Sequence, residues 1–135
     1  MRARIAAVAL VTAGIAGLTA APAMAATATS GTDAAACAAV LNQPCVSHQA
    51  DGGGIVGVAQ VSAAPGQLTM VRVEIRTQAA WGSPWAAVAT ATTVQFGSAK
   101  AVTPRVTATA PRMICATAGP ALDVTQQVTT CTNPF

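Results

Sequence analysis

LTMVRVEIRTQ (residues 68–78), AAWGSPW (79–85) and AAVATATTVQF (86–96) form one continuous stretch, and its reading decides the fold. In the first segment Val71, Val73 and Ile75 alternate with Arg72, Glu74 and Arg76. Strict period two is the signature of a strand with one dry face and one wet face. The third segment is also strand-like, with Val88, Val94 and Phe96 on one face and Thr90 and Thr92 between them. The middle segment holds Gly82-Ser83-Pro84, a turn signal, and both tryptophans, Trp81 and Trp85. Leu68–Phe96 is therefore expected to be a long antiparallel hairpin at the centre of the domain.

The register of that hairpin is open to a test by face matching. Pairing Trp81 with Trp85 puts Val88 and Val94 on the face of the arginines. A four-residue loop, Trp81–Pro84, pairs Ala80 with Trp85, Val88 with Thr77 and Val94 with Val71, and so gathers the valines on one apolar face. A one-residue slip exchanges the two faces of a strand. The four-residue loop, or a bulge, is expected on this ground. Trp81 then sits at the loop, while a bulge near Ala86 turns Trp85 into the core.

Outside the hairpin, turn signals divide the chain into short pieces. Ile55–Ser62 reads as a strand between Asp51-Gly52-Gly53-Gly54 and Pro65-Gly66. Lys100–Ala110 reads as a strand at a sheet edge or bulge, because Pro104 removes a ladder donor. Arg112–Thr117 and Leu122–Thr130 read as further strands, separated by Gly119-Pro120. Asp33–Leu41 is the one helical stretch, capped by Thr32 or Asp33 and ended by Asn42-Gln43-Pro44. Six or seven strands with at most one short helix imply an all-β fold. The expected form is a small antiparallel β-sandwich, with an immunoglobulin-like topology as a candidate, held by two disulfides.

The N-terminus bounds the compartment. Arg2 and Arg4 precede the uncharged apolar run Ile5–Leu18, and Ala23-Met24-Ala25 fits a signal-peptidase site. Residues 1–25 are read as a cleaved secretory signal and 26–31 as a flexible tail. Residues 32–135 are read as one domain. An uncleaved anchor is the alternative, but a spanning helix needs roughly 20 apolar residues and this run is shorter. Removing 25 of the 135 residues leaves 110. Of the seven basic residues five remain (Arg72, Arg76, Lys100, Arg105, Arg112), against Asp33, Asp51, Glu74 and Asp123, a net charge of +1. No basic patch remains, so neither nucleic acid nor a membrane surface is an expected partner.

The core is expected to be thin. Much of the apolar content is alanine and there is no tyrosine. Cross-links should therefore matter. Cys37, Cys45, Cys115 and Cys131 are an even count in an exported chain and read as two disulfides. Cys37–Cys45 with Cys115–Cys131 is the preferred pairing because each closes a short loop, worth about 2.5–3 kcal/mol. The rival pairing staples the two ends of the domain together. No CxxC spacing is present and no metal is expected.

Candidate sites are few. Trp81, with Ser83 and Trp85, forms the first, since an exposed tryptophan is a common binding anchor; the competing reading folds Trp81 back over the core. Arg72, Glu74 and Arg76 share a face, which either grips an acidic ligand or simply stays solvated. His48 is the only histidine, beside Ser47 and three residues before Asp51. Neighbouring residues in an extended chain do not converge as a catalytic triad does. Arg112-Met113, close to Cys115, suggests a protease-inhibitor loop, provided that Arg112–Ile114 is exposed and free of ladder bonds; the plain alternative is a strand ending in a structural cysteine. In length, disulfide count and Ala/Thr/Gly-rich composition the chain resembles two groups of bacterial exported proteins, the enediyne-binding apoproteins and the subtilisin-inhibitor type. No motif of either is matched residue by residue, and neither membership is assigned. The expectation is a secreted, monomeric, non-catalytic module without cofactor, binding an extracellular protein or a small apolar ligand or serving a structural role. The protease inhibitor is the alternative, and an enzyme the least favoured reading.

Overall fold

The computed structural model describes residues 40–135. The signal over residues 1–25, the tail over 26–31, residues 33–39 of the expected helix, and Cys37 lie outside them. At the end of that helical stretch Leu41 is not helical: it forms a parallel bridge with Ser62.

Seven strands follow: β1 (Pro44–Asp51), β2 (Gly54–Val61), β3 (Leu68–Thr77), β4 (Ala86–Phe96), β5 (Ala99–Val102), β6 (Arg112–Pro120) and β7 (Val128–Cys131). They build two antiparallel sheets, one ordered β1-β2-β5 and the other β4-β3-β6-β7. No helix among the described residues is long and apolar enough to cross a membrane.

Alternation explains how the sheets meet. Val71, Val73 and Ile75 of β3 face Ala118, Ala116 and Ile114 of β6 across the ladder, and all six are buried. Val46, Ile55, Ala59, Val61, Ala99 and Ala101 of the other sheet join them in one core. The largest fully buried side chains are Ile75, Ile114, Val71, Val73 and Thr69, so the core is thin as the composition implies. The sheets approach closely at Gly57, where an added Cβ would lie 3.1 Å from Ile114, 3.2 Å from Ile75 and 3.3 Å from Val73, so glycine suits the space left between the layers.

Several boundaries differ from the sequence reading. β1 was not expected. Its polar VSHQA run pairs with β2 through the two-residue turn Gly52-Gly53, both at positive φ, which suits the twist of a hairpin. Lys100–Ala110 is regular only to Val102, at the edge of its sheet. Beyond it Thr103 bonds back to Gly57 (N–H to carbonyl, 2.9 Å), and Val106 exchanges bonds with Ile55 at 2.8 and 2.9 Å. The expected strand Leu122–Thr130 is mostly a turn. The Asp123 carboxylate accepts from the Thr125 N–H (3.0 Å) and hydroxyl (2.6 Å) and from the Gln126 amide (2.7 Å). These local bonds compete with the ladder and leave only Val128–Cys131 as strand.

Candidate functional site

The hairpin β3–β4 forms, but one residue away from the expected register up to Ile75 and two residues away beyond it, where Thr77 pairs with Ala86 and residues 78–85 replace the expected four-residue loop Trp81–Pro84. Met70 pairs with Val94, Val71 with Thr93, Arg72 with Thr92 and Glu74 with Thr90. A bulge between Ile75 and Arg76 then brings Arg76 opposite Ala87. The expectation of Val94 against Val71 is thus corrected. Ala89 and Ala91 pack on the core, while Val88, Val94 and Phe96 are 49%, 53% and 70% exposed. The reason lies in the register: Thr93, Ala91 and Ala89 stand opposite the buried Val71, Val73 and Ile75, so Val94, like Thr92 and Thr90, falls on the outer face with Arg72 and Glu74.

Beyond the bulge the chain crosses from β3 to β4 through residues 78–85. Ser83 folds this loop back on itself. Its hydroxyl donates to the Ala80 carbonyl (2.7 Å) and accepts from the Ala80 N–H (3.0 Å), and its own N–H donates to the same carbonyl (3.0 Å). The Gln78 side-chain amide donates to the Ser83 carbonyl at 2.6 Å, and the Gln78 N–H to the Pro111 carbonyl at 3.3 Å. The turn is therefore pinned from within and from the neighbouring segment. At its tip Trp81 is 98% exposed. It does not fold back over the core. Trp85 is half-buried and does not enter the core cluster, against the expectation for it.

The three charges of β3 form one group. Glu74 accepts from Arg72 Nη2 at 2.5 Å and from Arg76 Nη2 and Nε at 2.6 and 2.8 Å. Glu74 is only 8% exposed, because the two arginines flank it along the strand. One carboxylate between two guanidiniums leaves the group with a single net positive charge, on arginine side chains that are 51% and 39% exposed.

Arg112 and Met113 do not sit on an exposed loop. Both lie in β6, opposite Thr77 and Arg76 of β3. On the other side Arg112 exchanges backbone bonds with Phe135 at 2.9 and 3.0 Å, and the Ile114 carbonyl accepts from Thr132 N–H at 2.8 Å. A segment bonded on both flanks is not presented to a protease, so the condition set for the inhibitor reading is not met. The Arg112 guanidinium lies 5.4 Å from the centre of the Phe135 ring. The other partner of that ring is His48, stacked at 4.3 Å and 15°. His48, Arg112 and Phe135 thus close one side of the sandwich, and the face of the imidazole is occupied by a ring.

Cys115 and Cys131 are bonded to each other across β6 and β7, as expected. None of the described cysteines is free; the expected partner of Cys45, Cys37, is outside the described residues. Comparison with known proteins gives no match to a family model, to a curated protein or to a solved structure.

What the sequence reading missed is the outer face of β4. The signal was present: no charged residue occurs between Arg76 and Lys100. Assigning its valines to the core hid it.

Proposed function

We propose that this chain is an exported, non-catalytic module that binds an extracellular protein or a small apolar ligand through the Trp81 turn. One observation carries the reading: a fully exposed indole stands on a turn that Ser83 and Gln78 hold rigid. The backbone of the turn is held before binding, so only the indole must be ordered, and it offers a large apolar area. Ser83 orders the turn and Trp85, half-buried at the start of β4, flanks it. The disulfide and the signal-like N-terminus support an oxidising, extracellular setting. The strand orders β1-β2-β5 and β4-β3-β6-β7 support the immunoglobulin-like version of the sandwich, a scaffold on which loops at the ends of strands often carry binding.

The test is capture from spent medium and cell-wall fractions with immobilised wild-type protein and the Trp81→Ala variant side by side. The reading expects a component retained by wild type and lost from the variant, with unchanged thermal unfolding because the indole contributes nothing to the core. Identical retention by both proteins contradicts it.

A further inference from the structure

We propose that β4 is a self-association edge, along which a second copy of this chain adds its own β4 antiparallel to form one continuous sheet. This goes beyond the Trp81 reading and does not depend on it. It takes the place of the monomer expected from sequence.

The four edge strands of the two sheets differ in how they are protected. β7 has four residues and is tied down by the Cys115–Cys131 bridge. β5 has four residues, carries Lys100 and runs into Pro104. β1 begins at Pro44 and ends at Asp51. β4 is eleven residues long, pairs on one side only among the described residues, and contains neither proline nor charge. Short length, proline and charge are the usual means of blocking edge-to-edge pairing. β4 has only the bulge at one end. Its unpaired backbone donors and acceptors fit one kind of partner, another β-strand.

The side chains identify that strand as a second β4. A two-fold axis through Ala91 pairs Ala91 with the partner's Ala91 and Thr90 with the partner's Thr92. It likewise pairs Ala89 with the partner's Thr93, and the bulge, which leaves Val88 without a partner in β3, ends the regular edge there. Threonine opposes threonine, alanine opposes alanine at the axis, and inward residues oppose inward residues, so both cores stay on the same side of the sheet. Threonine–threonine pairs are favourable across antiparallel strands. Val94 and Phe96, exposed in the single chain, lie toward the bulged end of the partner strand. An isologous contact of this kind closes after two copies. A strand bearing charge would be repelled by its own copy; this one is neutral throughout.

The test is the concentration dependence of molecular mass by sedimentation equilibrium, for wild type and two variants at exposed positions. Wild type is expected to approach twice the monomer mass. Thr90→Lys with Thr92→Lys sets lysine against lysine twice and should weaken association by about tenfold or more. Thr90→Lys with Thr92→Glu sets lysine against glutamate and should retain it. A wild type that stays monomeric overturns the proposal, whatever the variants do. So does association unchanged in the double-lysine variant. Loss of association in the lysine–glutamate variant, with its thermal unfolding intact, overturns the register through Ala91.

Discussion

Gly57 sits where a side chain of one sheet would press on Ile114, Ile75 and Val73 of the other. Any side chain there must displace Ile114, Ile75 or Val73, which are themselves packed from all sides. Gly57→Ala is expected to destabilise the fold by about 1–3 kcal/mol through overpacking, read as a lower midpoint of denaturant unfolding with unchanged slope. At this scale the sequence was informative where alternation was strict. Val71, Val73 and Ile75 are buried as their spacing against Arg72, Glu74 and Arg76 implied. It was misleading for Val88, Val94 and Phe96. Matching the faces of the hairpin assigned the valines to the apolar side, but with Val71 opposite Thr93 it is Ala89 and Ala91 that pack on the core. Nothing in the spacing of Gly57 itself announces that the opposing sheet lies within reach.

Among the elements, the β6–β7 pair depends most on covalent chemistry. β7 is four residues long, and Cys131 lies directly opposite Cys115. The bridge closes a separation of 16 residues. Replacing both cysteines with serine is expected to cost about 3 kcal/mol on chain-entropy grounds, measured as a fall in unfolding free energy relative to the oxidised protein. The preceding turn has a different determinant. Hydrogen bonds from Thr125, and then from Gln126, hold the Asp123 carboxyl below its usual range. A depressed folded value means that this contribution is present above the ordinary carboxylate range and is lost as pH falls through the folded value. Carboxyl NMR titration should find the Asp123 pKa raised back toward its ordinary value in Thr125→Ala. This side-chain capture is why Leu122–Thr130, which alternates as a strand should, is one only at its end. The converse holds for β1. Its VSHQA run offers no long apolar pattern, and it becomes a strand because the Gly52-Gly53 turn returns it along β2.

For the whole molecule, the all-β class, the antiparallel hairpin and the Cys115–Cys131 bridge were legible in the sequence, since each depends on local pattern or short spacing. The division of seven strands between two sheets was not. It is set by three crossings, at Pro65-Gly66, at Gly97-Ser98 and over residues 103–111 between β5 and β6, and a connection within one sheet looks the same in sequence as a connection between sheets. That division, with the register of β3 against β4, decides what the molecule offers to water. It presents the Trp81 turn at one end of the hairpin and an uncharged outer strand along its length. The most direct test of this account is the set of inter-strand NOE contacts along β3–β4 in isotopically labelled oxidised protein. The expected pairs are Met70 with Val94, Arg72 with Thr92 and Glu74 with Thr90, with Val94 and Phe96 accessible to a soluble paramagnetic probe. Pairing of Val94 with Val71 and of Val88 with Thr77, with those side chains shielded, would contradict it.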